Sequence, residues 1–261
     1  MQKYSIFNLV KNAFSGHQNW DLAWKDPTPK KEYDVVIIGG GGHGLATAYY
    51  LAKEHNITNV AIIEKGWIGG GNVGRNTTII RSNYMHDDNA LFSEFGMDLW
   101  RKMSQDLNYN VMFSPRGIIN LAHSDAQMNV YARRGNSMRL NGIDAVLLNR
   151  EQVKEIIPMA DFSDNVRFPI FGGLMQPSAG TARHDAVAWG YARQADSMGV
   201  DIIQNCEVIG FDVSAGKIKG IRTSRGNIKA KKVGICVAGS TNILAEKLNM
   251  TLPIETHLLQ A

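Results

Sequence analysis

Tyr33-Asp-Val-Val-Ile-Ile-Gly-Gly-Gly-Gly-His-Gly-Leu-Ala-Thr-Ala-Tyr-Tyr50 is the stretch on which the fold turns. Tyr33 to Ile38, rich in β-branched residues, reads as a buried strand. Glycines at 39, 41 and 44 follow with the G-x-G-x-x-G spacing, and a helical run begins at about Leu45. A second apolar strand, Val60-Ala-Ile-Ile-Glu64, closes on Glu64, 20 residues past Gly44. That order suits a bound dinucleotide. Gly39 permits the tight turn, Gly41 lets backbone approach the pyrophosphate, and Gly44 lets helix and strand pack closely. The helix N-terminus offers unpaired N–H groups to phosphate, and Glu64 accepts hydrogen bonds from the adenosine ribose. The bland alternative, a glycine-rich turn in an ordinary α/β protein, leaves the position of Glu64 to chance.

The chain has 261 residues, 44% of them hydrophobic, enough for one large domain or two smaller ones. Its net charge of +4 is modest and its basic residues are scattered, in short clusters such as Lys30-Lys31 and Arg133-Arg134. Solvated faces explain them better than nucleic acid does. The two cysteines, Cys206 and Cys236, sit in apolar runs that read as strands, with no C-x-x-C, so buried thiols in a reducing compartment are expected. His86, His123 and His257 lack metal-ligand spacing, and no metal is expected. Met1–Pro29 lacks a signal-peptide pattern. The glycines, His43 and Thr47 argue against a membrane helix over Val35–Ala52. A soluble, cytoplasmic protein is the expectation.

Along the chain, residues 1–32 read as an extension, with Pro27 and Pro29 breaking regularity before the first strand. After Glu64 comes a long glycine-rich loop, residues 65–83. Asp87–Leu107 reads as a helix, with Leu91, Phe95, Leu99, Met103 and Leu107 every four residues and Trp100 beside them. Its aromatic and methionine side chains are expected in the core. Val111–Phe113 and Gly117–Ala122 are strand-like, and Asp125–Leu140 is helical. Asn149 caps a short helix, Glu151–Ile157, with Gln152 at the capping-box position and Pro158 as its stop.

Gly172–Gln176 is a short strand and Pro177–Thr181 a turn. Arg183–Met198 is a helix closed by Gly199. Val200–Val208 follows as a strand, then a hairpin at Ala215-Gly216, then the strand Val233–Ala238 and a helix near Asn242–Leu248. Leu252-Pro-Ile-Glu-Thr-His-Leu-Leu-Gln-Ala261 reads as the start of another strand, and so as an incomplete fold whose C-terminal part is missing. The fold class expected is α/β: a Rossmann-like FAD-binding domain interrupted by a mixed α+β substrate domain. The boundaries put residues 33–110 and 175–250 in the first domain. Residues 111–174 and 251–261 form the incomplete substrate or interface domain.

The loop after Glu64 separates NAD(P) from FAD. Gly69-Gly-Gly-Asn72 and Gly74-Arg-Asn-Thr-Thr78 supply a second hydrogen-bonding segment. An extended FAD needs one along its pyrophosphate and ribityl chain.

Longer motifs carry a resemblance: Gly39–Gly44 with His43, Gly70-Gly-Asn72 with Arg75-Asn-Thr-Thr-Ile-Ile-Arg-Ser-Asn-Tyr84, Gln105–Ser114, Arg183-His-Asp-Ala-Val-Ala-Trp189, and Gly199–Val208. On these the chain, from about residue 20 onward, resembles the beta subunits of heterotetrameric sarcosine oxidase. They lie within the D-amino-acid-oxidase-like group of FAD amine oxidases.

The resemblance implies noncovalent FAD at Gly39, Gly41, Gly42, His43, Gly44, Glu64 and Lys65. It puts Asn72, Arg75, Asn76, Thr77, Thr78 and Ile80 along its flavin side and the Val208 backbone at the adenine. Loop capping is the plain alternative for Thr77 and Thr78. The resemblance also implies FMN joined covalently to His184, with Arg183 near it. Read by itself, His184 is a helix-start histidine making a local hydrogen bond. Its place in the first helical turn, where the dipole disfavours an imidazolium, suits a neutral nucleophile. Arg183 and Asp185 read as a solvated pair or as orienting groups.

The implied reaction is oxidative demethylation of sarcosine to glycine and formaldehyde, or to methylene-tetrahydrofolate. Electrons would pass from FAD to FMN and then to O2, giving H2O2. The implied partners are alpha, gamma and delta subunits, with tetrahydrofolate bound through the alpha subunit. The open alternatives are a dehydrogenase of dimethylglycine or another secondary amine, and a non-catalytic flavin-binding fragment. The residues that recognise substrate and carry catalysis are expected past Ala261.

Overall fold

The computed structural model describes residues 5–18 and 22–258. In chain order the first elements are α1 (Ile6–Phe14), β1 (Glu32–Ile38), α2 (Gly42–His55), β2 (Val60–Ile63) and β3 (Ile79–Ile80). Then come α3 (Asp87–Asp106), β4 (Ile118–Ala122), α4 (Asp125–Leu140), β5 (Val146–Asn149), α5 (Arg150–Ile156), β6 (Gly172–Gln176) and β7 (Gly180–Thr181). The last are α6 (His184–Ser197), β8 (Asp201–Ile203), β9 (Val208–Ser214), β10 (Lys217–Thr223), β11 (Gly226–Ile235) and α7 (Thr241–Glu246). Two compact units divide them. The first comprises Met1–Thr77, Leu107–Val111 and His184–Ala261, and the second Thr78–Asp106 and Met112–Arg183.

The first unit is an α/β layer structure. Its six-stranded sheet runs β8-β2-β1-β11-β10-β9. The pairs β1–β2, β2–β8 and β1–β11 are parallel, with Ile37 opposite Ile62 and Val36 opposite Val233. The remaining strands form an antiparallel meander. Parallel strands carry helices on their faces and so bury both sides, and every residue of β2 is buried. Tyr33, Val36, Ile63, Ile203, Ile221 and Ile228 share one core cluster. On α2, Leu45, Ala48 and Tyr49 are buried, and the Tyr49 ring meets Tyr191 of α6 edge-on at 5.4 Å. This packing fixes α6 beside α2. The β9–β10 turn has φ of 50° at Ala215 and 70° at Gly216, the primed geometry that matches strand twist.

The segment ahead of β1 is tied to this sheet. The Lys30 ammonium lies 2.8 Å from Asp201, and the Asp26 carboxylate accepts from the Gln204 backbone N–H at 3.1 Å. The Tyr33 hydroxyl accepts from the Lys30 N–H at 3.0 Å and donates to Asp201 at 2.9 Å. Burial, opposed by the Lys30 N–H and assisted by Asp201, pushes the Tyr33 phenol above its ordinary range. Tyr33→Phe loses both bonds and lowers the stability of the apoprotein by roughly 1–2 kcal/mol at pH 8. Because the folded state holds the phenol protonated, Tyr33's contribution is full below the unfolded pKa near 10 and fades as pH rises past it. Urea unfolding of both proteins from pH 8 to 11 checks this: the gap narrows above pH 10, and a constant gap refutes it.

In the second unit, β4-β6-β5 form an antiparallel sheet and β3 pairs with β7. Ser82, Asn83 and Gln176 are fully buried polar residues, and each is satisfied. The Gln176 amide donates to Ser82 Oγ at 2.7 Å and its oxygen accepts from the Ser82 N–H at 3.1 Å. Ser82 Oγ donates to Glu94 at 2.5 Å, and the Asn83 amide donates to Asn120 at 2.7 Å. Buried polar groups that are fully paired specify one arrangement. The capping box at Asn149 and Gln152 is present as read from the sequence.

Several expectations are corrected. The stretch read as one strand, Val200–Val208, is two, because Asn205 takes a left-handed φ of 49° between β8 and β9. Val111–Phe113 forms no strand, with Met112 at φ 54°. Cys206 is therefore buried in a turn, and Cys236, one residue past β11, is only half-buried. Burial raises the Cys236 thiol above its usual range. β11 starts at Gly226, not Val233, and Ala238 lies in a short 3₁₀ turn. Residues 65–83 are not a structureless loop, since a 3₁₀ turn covers Asn72–Arg75 and β3 follows.

Residues 252–258 form no strand, and residues 259–261 lie outside the described set, as do 1–4 and 19–21 of the N-terminal extension. The extension itself holds α1. On α3 the buried residues are Ala90, Met97 and Met103, whereas Leu91, Phe92 and Phe95 are exposed by 54, 80 and 64%. Steps of four residues drift about 40° each around a helix of 3.6 residues per turn, so a stripe from 91 to 107 cannot keep to one face. Residues 78–106 group with the second unit, whereas the boundaries read from the sequence keep them with the dinucleotide domain.

Candidate functional site

The glycine turn lies between β1 and α2 in the first unit. Gly39 has φ +109°, and a Cβ there would sit 2.3 Å from the Cys236 carbonyl oxygen. A Cβ on Gly44 would fall 2.0 Å from the Gly39 oxygen, so helix and turn touch backbone to backbone. Gly41 differs: the nearest atom to a Cβ there is Val73 Cγ2 at 3.9 Å. Two glycines are therefore required by packing, and the third faces room for a ligand.

The helix that follows begins at Gly42, earlier than the sequence reading placed it. Its N-cap is Gly41, and no described side chain caps it. By contrast, Ser5 caps α1, Ser124 caps α4 and Asn149 caps α5. The first intrahelical bond is Leu45 N–H to the Gly41 oxygen at 3.0 Å. The amides of the first turn thus remain for an anion, and the helix dipole favours one there.

Glu64 follows β2. One of its carboxylate oxygens accepts from the Gly40 N–H and the other from the Gly66 N–H, both at 2.8 Å. Each oxygen keeps a further lone pair for a hydroxyl. The Glu64 carbonyl accepts from the Cys206 N–H at 2.9 Å, and the Gly66 carbonyl from the Asn205 N–H at 2.9 Å. These bonds hold the β8–β9 turn, and Val208 just after it, beside Glu64. His43 and Lys65 are exposed neighbours in this region.

Beyond Glu64, Asn72 and Arg75 are exposed on the 3₁₀ turn, and the Asn76 amide donates to the Val73 carbonyl at 2.7 Å. Thr77 is exposed and ends this segment of the first unit. Thr78 and Ile80 belong to the second unit. Thr78 has φ +61°, rare for a β-branched residue and of the kind that clusters at functional sites. Its carbonyl accepts from the Ala182 N–H at 3.1 Å, and Ile80 pairs with Gly180.

His184 opens α6 in the first unit, and Arg183, exposed, ends the second unit just before it. His184 Nδ1 is buried and has no hydrogen-bond partner among the described residues. One turn on, the Ala188 Cβ would lie 3.5 Å from a Cβ on Gly69. The face of α6 that bears His184 is thus turned to the loop leading into Asn72. Asp185 accepts from the Ala186 N–H at 2.8 Å.

The sequence reading gave no role to Arg81 and took Arg133-Arg134 as a solvated face, whereas Arg134 is half-buried; both Arg81 and Arg134 belong to the second unit. The Arg81 guanidinium donates to Asn83 Oδ1, and Arg134 Nε donates to the Asn83 carbonyl at 2.7 Å. Burial, then the like charge of Arg81, lowers the Arg134 pKa. Fifty-odd residues separate the two in sequence, and no local pattern reveals that they meet.

Parallel strands β1 and β2, a glycine turn, an uncapped helix and a carboxylate after the second strand define a dinucleotide-binding domain. The FAD dependent oxidoreductase family matches residues 34–261, and the chain belongs to it. It is 58% identical over 259 residues to the "Sarcosine oxidase subunit beta" of Rhizobium meliloti, covering 99% of this chain and 62% of that protein. The protein of the same description from Rhodobacter capsulatus is 51% identical over 261 residues, covering 100% and 63%. The chain therefore spans about three fifths of the length of these curated relatives. Among solved structures, L-proline dehydrogenase from P. horikoshii superposes with a TM-score of 0.78 at 27% identity, over 85% of this chain and 57% of that one. Among the described residues no helix is long and apolar enough to cross a membrane.

Proposed function

We propose that this chain is part of the beta subunit of a sarcosine oxidase. FAD lies on the Gly39–Gly44 turn and FMN is joined to His184. The glycine turn fits a diphosphate: a Cβ on Gly41 would meet only Val73 Cγ2, at 3.9 Å, and the α2 amides lack a side-chain cap. Gly42, His43 and Gly44 present those amides, and Glu64 takes the ribose hydroxyls. Lys65, Asn72, Arg75, Asn76, Thr77, Thr78 and Ile80 continue along the cofactor, and the Val208 backbone meets the adenine. When bound, flavin would supply the two-electron oxidation of the sarcosine N-methyl group, with O2 as the final acceptor giving H2O2. The resulting imine hydrolyses to glycine and formaldehyde. Alpha, gamma and delta subunits complete the assembly, with tetrahydrofolate on the alpha subunit.

The observation that carries this reading is the buried, unengaged His184 Nδ1, in the same unit as the glycine turn. A nitrogen with no proton-sharing partner is available for a bond to flavin. The test is acid precipitation of the complete assembly and of His184→Ala. The wild-type pellet is expected to keep a fluorescent flavin, and the variant to lose it while still releasing extractable FAD. Flavin that extracts entirely from the wild type sinks the attachment. The likeness to L-proline dehydrogenase favours a second reading, a dehydrogenase of another secondary amine. Comparing turnover of sarcosine, dimethylglycine and L-proline separates the two.

A further inference from the structure

α1 stands apart from everything the cofactor reading uses. Projected on a helix of 3.6 residues per turn, Ile6, Phe7, Leu9, Val10, Ala13 and Phe14 fall within an arc of about 160°. Asn8, Lys11 and Asn12 fill the other side. None of its residues is buried, and Ile6, Phe7, Leu9 and Phe14 are 70, 82, 66 and 89% exposed. Both ends are finished: Ser5 Oγ accepts from the Asn8 N–H at 3.2 Å, and the Ser15 N–H returns to the Lys11 carbonyl at 3.2 Å. A helix of nine residues is marginal in water by itself and draws its stability from what its apolar face meets.

We infer that α1 is a docking element whose apolar face seats in an apolar groove on a second, different polypeptide of the assembly. The inference rests on the proposal that the chain is an enzyme subunit. Two observations favour this occupant. The family match begins at residue 34, past α1. The matches to two proteins described as a "subunit beta" cover 99 and 100% of this chain, and so run through α1. The helix therefore lies outside the common flavoprotein fold and within the region shared with proteins that are subunits.

The polar side is the second observation. It carries the amides of Asn8 and Asn12 and the single cation Lys11, with no acidic residue in the first turn. Helices that lie on anionic lipid are rich in Lys and Arg on that side. A polar side with one cation, and anchors at i, i+4 and i+7, fits a protein groove.

The experiment uses the complete assembly, purified through a tag at the far terminus of the full-length chain. Its variant is Phe7→Ser with Phe14→Ser, which exchanges two exposed side chains and leaves the folded units untouched. Native mass spectrometry of the wild type is expected to give a hetero-oligomer. The variant is expected as the flavin-bearing chain alone, with the co-purified partner reduced at least tenfold and an unchanged thermal transition for the free chain. A variant that keeps the wild-type hetero-oligomer overturns the inference. So does a wild-type homo-oligomer that the variant dissolves, which makes the occupant a second copy. So does wild-type chain that sediments with phosphatidylglycerol-containing vesicles where the variant does not. A wild type found only by itself overturns the subunit reading and this inference with it. A hetero-oligomer insensitive to the variant overturns this inference alone.

Discussion

Gly44→Ala is expected to yield no flavoprotein, while Gly41→Ala yields a folded protein that has lost its FAD. The contrast follows from what each new methyl meets. On Gly44 it would lie 2.0 Å from the Gly39 oxygen, with Ile37 Cγ2 at 3.3 Å. Neither neighbour can swing away, because Leu45 and Ile37 on either side are buried. Relief requires α2 to lift off β1. Overpacking a core costs about 1–3 kcal/mol, and a clash between backbones sits at the upper end or beyond. That is a large share of the roughly 5–15 kcal/mol by which a domain is stable. On Gly41 the methyl meets nothing closer than 3.9 Å, and the residue's φ of −85° suits any amino acid. The apoprotein should stay within about 0.5 kcal/mol of wild type in urea unfolding. The methyl takes the space through which a diphosphate approaches, so the acid-extractable FAD per protein should fall at least tenfold. A Gly41→Ala protein with a full complement of extractable FAD removes the diphosphate from this turn.

Glu64→Ala is expected to lower both stability and flavin affinity, and Glu64→Gln to do so by about half. Both carboxylate oxygens are already engaged by backbone, with Gly40 and Gly66 N–H groups at 2.8 Å. Hydrogen bonds to a charged acceptor are worth about 1.5–3 kcal/mol each, and Gly40 is buried, so its orphaned amide cannot recover fully in water. The expected loss for alanine is about 3 kcal/mol in the apoprotein. Loss of the ribose contacts, with the loosening of the turn, should weaken flavin about a hundredfold, or about 2.8 kcal/mol at 1.4 per decade. Glutamine keeps one oxygen and so one of the two amide bonds. Fluorescence titration of apoprotein with FAD gives the affinity and urea unfolding the stability. If alanine lowers stability but leaves FAD affinity intact, Glu64 is a brace for the turn and has no part in holding ribose.

The turn was legible because every part of it is local. A strand, a glycine spacing, a helix and a second strand lie within Tyr33–Glu64, and each has its own periodicity. Glu64's second duty, bracing Gly40 and Gly66, was not legible, since side-chain bonds to backbone leave no trace in a pattern. The longer elements failed where one residue departs from its neighbours. Asn205 and Met112 take positive φ inside runs whose composition favours a strand.

β11 was read too short because the reading started at the apolar run from Val233 and passed over the alternation Asn227-Ile-Lys-Ala-Lys231, which is itself the period of a half-buried strand. α1 did carry a helical period, but it lies ahead of two prolines in a stretch read whole as an extension. The meeting of Arg81 with Arg134, and the bonds among Ser82, Gln176 and Glu94, join positions far apart in sequence. Only the folded chain brings them together.

The sheet order β8-β2-β1-β11 also has a meaning in time. β1 and β2 leave the ribosome within the first 63 residues, paired in parallel and with the cofactor turn between them. The strands that flank them, β8 at Asp201–Ile203 and β11 from Gly226, arrive only after the whole second unit has been made. For most of synthesis this pair has two unpaired edges and largely bare apolar faces. Such edges invite other chains. Cells that produce this protein should therefore need a holding chaperone on the nascent chain, released when β8 and β11 close the sheet.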